Sequence, residues 1–112
     1  MTKYKLPFGK SGWDYERTPD MSGKSVVITG GNSGIGLEAA KILVGKNAHV
    51  TIFCRNEGKA QEAVAQIKEH ATAAASIDYV LMDLASLDSV RTAANEYLAK
   101  HDKLDVLLNN AG

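Results

Sequence analysis

Cysteine is almost missing from this chain. Cys54 stands alone among 112 residues, so no internal disulfide is open to it, and a buried strand position suits it better than a nucleophile's role. Proline is nearly as scarce, and both copies, Pro7 and Pro19, fall in residues 1–20, leaving no proline to break a helix beyond them. Net charge is absent too: 13 basic and 13 acidic residues cancel, which excludes a broad electrostatic attraction to nucleic acid or to an anionic membrane. No apolar run approaches the length of a membrane span, and no charged-then-apolar leader opens the chain. The cytosol is the default expectation. His49, His70 and His101 are scattered without metal-ligand spacing or a neighbouring nucleophile, so neither a metal site nor a hydrolytic triad is expected.

Glycine, in contrast, is plentiful and clustered. Ser25-Val26-Val27-Ile28-Thr29 is a short β-branched run that ends in Gly30-Gly31-Asn32-Ser33-Gly34-Ile35-Gly36, and the glycines open a helical pattern. A buried strand feeding a tight glycine turn and then a helix is the grammar of a phosphate site. Glycine lets the backbone come close to a pyrophosphate, and the helix N-terminus adds unpaired N–H groups and about half a positive charge. A glycine pattern alone is weak evidence. Its place between strand and helix, with a second strand ending about 20 residues on, is what strengthens it.

The rest of the chain alternates in the same way. Ile35, Ala39, Ile42 and Leu43 recur at helical spacing, Gly45 and Asn47 punctuate, and residues 49–54 read as a second strand. Ala60, Ala63, Val64 and Ile67 mark one face of a second helix, and residues 77–82 a third strand. Ser86 is the expected N-cap of a third helix with Leu87, Val90, Ala94 and Leu98 inward, and residues 104–108 form a fourth strand. This β-α-β-α-β-α-β order predicts an α/β fold of the Rossmann type: a doubly wound parallel sheet with right-handed crossovers and a ligand beyond the strands' carboxyl ends. Residues 1–20 lack any period. Tyr4, Phe8, Trp13 and Tyr15 sit there among Lys, Gly and Pro, so they read as an N-terminal extension, with a partial nucleotide-binding domain over residues 21–112.

The spacing Thr29-Gly30-x-x-x-Gly34-x-Gly36, followed by Asp83-Leu84 and then by Asn109-Asn110-Ala111-Gly112, resembles the short-chain dehydrogenase/reductase family over residues 23–112. Gly-Gly-Asn-Ser-Gly-Ile-Gly with Cys54-Arg55-Asn56 looks most like the retinol-dehydrogenase and WW-domain-oxidoreductase branches. The resemblance implies strand order 3-2-1-4 and a cofactor held by Gly30, Asn32, Ser33, Gly34, Ile35 and Gly36 in the turn. It gives Asp83 to the adenine amino group and the Leu84 backbone to the ring, with Asn109, Ala111 and Gly112 on the nicotinamide side. Thr29 would tie the turn to the end of the fourth strand. The residue-level alternative for Asp83 is a loop cap, since Asp favours turns.

Arg55 carries the expected cofactor choice, the residue-level alternative being a solvated side chain at a strand end. NAD-preferring enzymes place an acid at the end of the second strand for the ribose hydroxyls, whereas a 2′-phosphate needs a cation. A guanidinium–phosphate contact counts for about 1.5–3 kcal/mol, enough to set preference by about ten- to a hundredfold. NADP(H) is therefore expected, with Asn56 adjacent to help; Glu57, turned inward, would repel the phosphate. A methyltransferase using S-adenosylmethionine shares the early layout but wants an acid where Arg55 stands.

In the family the resemblance implies, hydride passes between nicotinamide C4 and an alcohol or carbonyl carbon. The tyrosine of Tyr-x-x-x-Lys is the general acid/base, its lysine lowers the tyrosine pKa and holds the ribose, a serine polarises the substrate oxygen and an asparagine sustains a proton relay. All four lie beyond the Asn-Asn-Ala-Gly motif. Residues 1–112 hold no Tyr-x-x-x-Lys: Tyr97 is followed by Lys100 and His101, and core packing is its expected job. No catalytic residue is assigned, and the chain by itself is expected to be inactive. A sheet truncated after the fourth strand leaves that edge uncovered and prone to self-association. The alternative function is a non-catalytic NADP(H)-binding or regulatory partner of a full-length relative.

Overall fold

The computed structural model describes residues 19–30, 34–83, 85–101 and 103–109. Four strands and three helices alternate: β1 Ser25–Thr29, α1 Gly34–Gly45, β2 His49–Cys54, α2 Glu57–Lys68, β3 Ser76–Leu81, α3 Leu87–Lys100 and β4 Val106–Asn109. The strands form one sheet in the order β3-β2-β1-β4, and every pairing is parallel. This is the Rossmann-type α/β sheet expected from the alternation. All five residues of β1 are buried, as a central parallel strand covered on both faces requires.

Strand alternation divides the core into two layers. Val26, Ile28, Val50, Ile52 and Cys54 face α1 and α2, where they meet Ala39, Ala40, Leu43, Ala60, Ala63 and Ile67. Val27, Phe53 and Val80 point the opposite way and pack with Met82 against Ala93 and Tyr97 of α3. Cys54 is buried, as the sequence implied.

Two helix faces differ from the expected ones. In α1 the buried residues are Gly36, Ala39, Ala40, Leu43 and Val44, while Ile35 is 61% exposed. Small residues bring the helix close to the sheet, and this places Ile35 on the far side of the first turn. In α3 the inward stripe is Val90, Ala93 and Tyr97, whereas Leu87 (65%), Leu98 (62%) and Ala94 are exposed. The Tyr97 ring decides this rotation: it lies 6.1 Å from Phe53 and stacks at 4.5 Å on His101, and its hydroxyl donates to the Lys103 carbonyl at 3.0 Å. Burial pushes the Tyr97 phenol above its ordinary pKa.

Strand bounds moved less. β3 runs one residue earlier than the expected 77–82, because Ser76 pairs with His49 in register. β4 starts two residues later than the expected 104–108, because the ladder begins at Val26 opposite Val106 and leaves Leu104 without a partner strand residue. Asn56 and Ser86 cap α2 and α3, their side chains accepting from Lys59 N (2.9 Å) and Ser89 N (3.2 Å).

The end of the sheet where the strands begin is closed by polar ties. Asp20 accepts from Asn47 Nδ2 at 2.6 Å, Thr72 donates to Asn47 Oδ1 at 2.6 Å, and the Met21 amide donates to the Lys46 carbonyl at 2.7 Å. Among the described residues, no helix is long and apolar enough to cross a membrane.

Candidate functional site

The carboxyl ends of all four strands gather at one rim, where parallel connections must turn back into helices. At the centre β1 gives way to the glycine turn. The Gly30 amide donates to the Phe53 carbonyl at 2.8 Å, the last tie to β2 before the chain leaves the sheet. Gly30 and Gly34 take positive φ values of 68° and 59°, a region that costs an L-residue with a side chain about 1–2 kcal/mol. At Gly34 an added Cβ would meet nothing within 4 Å, so the requirement there is conformational. Gly36 is buried in the first turn of α1.

α1 also differs from its neighbours in charge. The first turns of α2 and α3 carry Glu57 and Asp88, but that of α1 carries no acid. Its positive pole is not offset by a carboxylate in its own first turn. Thr29, buried, donates through Oγ1 to the Leu108 carbonyl at 3.5 Å, the tie between turn and fourth strand that the sequence suggested.

At the end of β2, Arg55 is exposed and forms no ion pair among the described residues. Asn56, expected to help with the cofactor, spends its Oδ1 on the α2 cap. Glu57 is turned toward β3, where its Oε2 accepts from the Tyr79 hydroxyl at 3.0 Å. At the end of β3, Asp83 is half-buried and behaves as a turn residue: Oδ1 accepts from the Ala85 amide at 3.0 Å, and its own amide donates to Ser89 Oγ at 2.8 Å.

Gly30, Gly34, Ile35, Gly36, Arg55, Asn56 and Asp83 are thus brought to one rim. Asn32, Ser33, Leu84, Ala111 and Gly112 lie outside the described residues, as does the side chain of Asn109. Tyr79 and Ser89 were not singled out from the sequence. Ser89 carried a signal, three residues after the cap Ser86; Tyr79 carried none beyond its place on the α2 side of β3. Among the described residues no group of His, Cys, Asp and Glu converges on a metal position.

A parallel sheet in the order 3-2-1-4, with a glycine turn at the head of its first helix, defines a doubly wound domain of the nucleotide-binding class. Residues 24–112 match the family model of the short chain dehydrogenases. A short-chain dehydrogenase/reductase of Armillaria gallica is 45% identical over 103 residues, covering 92% of this chain and 33% of that protein. A WW domain-containing oxidoreductase of Pongo abelii is 47% identical over 92 residues, covering 82% and 22%. Among solved structures, L-sorbose reductase from Gluconobacter frateurii, complexed with NADPH and L-sorbose, superposes with a TM-score of 0.74 at 34% identity, over 83% of this chain and 35% of that one. The chain belongs to the short-chain dehydrogenase/reductase family, and it spans about a third of the length of the curated relatives it matches first.

Proposed function

We propose that residues 21–112 are the NADP(H)-binding part of an oxidoreductase that transfers hydride between nicotinamide and an alcohol or carbonyl substrate, with residues 1–20 an extension outside that part. The observation that carries the cofactor is Arg55, exposed at the carboxyl end of β2, on the same rim as the start of α1, whose first turn holds no acid. The residues fit the group. Gly30 and Gly34 are left-handed at the approach to the α1 N-terminus, a helix N-terminus is a ready anion site, and the guanidinium offers a planar fork to a 2′-phosphate. The L-sorbose reductase neighbour, complexed with NADPH, supports the same choice.

When bound, the dinucleotide supplies or accepts the hydride at its nicotinamide ring. This chain's own residues bind and orient it. The α1 amides and the turn around Asn32 and Ser33 hold the pyrophosphate, Arg55 with Asn56 takes the 2′-phosphate, and Asp83 and Leu84 take the adenine. Asn109, Ala111 and Gly112 take the nicotinamide-side ribose, and Ile35, exposed at the start of α1, joins the cofactor-binding set. Residues 1–112 hold no Tyr-x-x-x-Lys, so they are assigned binding and not turnover. β4 pairs with β1 alone among the described strands; Leu104 just before it is exposed, Leu107 and Leu108 along it are half-buried and Val106 is buried. We propose that this face drives self-association when residues 1–112 are produced by themselves.

Titrating NADPH, NADH and S-adenosylmethionine against wild type and Arg55→Asp tests the cofactor. NADPH should bind tightest, and the substitution should weaken it about ten- to a hundredfold while sparing NADH. No retention of NADPH by folded protein would overturn the reading.

A further inference from the structure

We propose that Tyr79 is a specificity-determining positioning residue whose hydroxyl keeps the Glu57 carboxylate away from the phosphate-binding side of Arg55. This inference rests on the NADP(H) reading above. Glu57 follows Arg55 by two residues and lies in the first turn of α2. An acid is favourable there for the helix, yet it stands where a 2′-phosphate site tolerates one least, since it would either neutralise the guanidinium or repel the phosphate.

The geometry resolves that conflict by a hydrogen bond. Glu57 Oε2 accepts from the Tyr79 hydroxyl at 3.0 Å, and the same hydroxyl accepts from Gln61 Nε2 at 3.4 Å. Gln61 is one helical turn beyond Glu57, on the same side of α2. Tyr79 is itself fixed, because it pairs with Ile52 in the sheet register and is partly buried against the α1–α2 side of the core. Glu57 therefore keeps its place at the helix N-terminus while pointing at the edge strand, and Arg55 forms no ion pair among the described residues.

Dissociation constants for NADPH and NADH, measured on the full chain as wild type, Tyr79→Phe, Glu57→Gln and the double variant, test the proposal. Arg55→Asp serves as the control on the underlying reading. Removing the hydroxyl should weaken NADPH about three- to tenfold and leave NADH within about twofold, and the loss should shrink with added salt. The double variant, with no carboxylate to release, should return NADPH affinity to the wild-type value. If wild type prefers NADPH and Arg55→Asp abolishes that preference, yet Tyr79→Phe leaves the ratio unchanged, the proposal is overturned and the cofactor reading stands. Equal loss of both nucleotides, or failure of Glu57→Gln to rescue, marks Tyr79 as structural and overturns the proposal too. A wild type indifferent to the 2′-phosphate overturns both.

Discussion

Asp105 and Ser25 hold each other twice. The Ser25 amide donates to Asp105 Oδ2 at 2.8 Å, and the Asp105 amide donates to the Ser25 carbonyl at 2.9 Å. Eighty residues of chain separate the pair, so this bracket sets where β4 begins to run beside β1. Lys103 supports it, reaching the Gly23 carbonyl at 2.7 Å and the Asp105 carboxylate at 3.4 Å.

The Ser25 amide, and after it Lys103, hold the Asp105 carboxyl below the usual carboxylate range. A depressed folded-state pKa means that the bracket's stabilisation is present above the unfolded value of about 4 and is lost as pH falls through the lower, folded value. Asp105→Asn should cost about 1–2 kcal/mol at neutral pH and flatten the acid limb of the stability curve. Urea unfolding between neutral pH and pH 3 reads both effects, and an acid limb unchanged by the substitution would contradict the assignment.

Gly34→Ala separates conformation from space. Nothing would crowd the new methyl group, but the positive φ remains. The variant should lose about 1–2 kcal/mol, or re-form its turn with weaker NADPH binding. Denaturation together with nucleotide titration distinguishes these two results from a neutral outcome, which would mean that the glycine is dispensable.

The inward face of α3 makes a contrasting pair. Tyr97→Ala should destabilise by about 3–5 kcal/mol, since it empties the space beside Phe53 and His101. Leu98→Ala, on an exposed side chain, should change monomer stability by no more than about 0.5 kcal/mol. Chemical denaturation of both variants at low protein concentration checks the order; reversal would restore the stripe through Leu98.

Asn56 has a capping role and a proposed cofactor role, and one substitution parts them. Aspartate caps as well as asparagine, so Asn56→Asp should keep its melting temperature while weakening NADPH more than NADH through repulsion of the 2′-phosphate. Asn56→Ala should instead lose about 1 kcal/mol of stability. Thermal melts and paired nucleotide titrations supply both readings.

Much of this molecule was legible in order along the chain. The tie from Thr29 to Leu108, 79 residues apart, was expected from the family resemblance, whereas the bounds of β1 and β2, the Ser86 cap and the buried face of α2 all follow from short-range signals, namely β-branched runs, a capping serine and helical spacing. Interactions within a few residues decide such features, and a sequence displays them directly. The rim that gathers Gly30, Arg55 and Asp83 was legible for a related reason, because parallel alternation forces every strand to end on the same side.

Other features depend on which distant segments meet. The rotation of α3 follows from Tyr97 finding Phe53, the late start of β4 from Asp105 finding Ser25, and the aim of Glu57 from Tyr79 on the edge strand. Each of these pairs is separated by tens of residues, and its energy exists only once the sheet register brings the partners together. The amino-acid order determined the elements and the end at which the strands' carboxyl termini gather; the assembled sheet decided which face each helix turns inward and where each charge points.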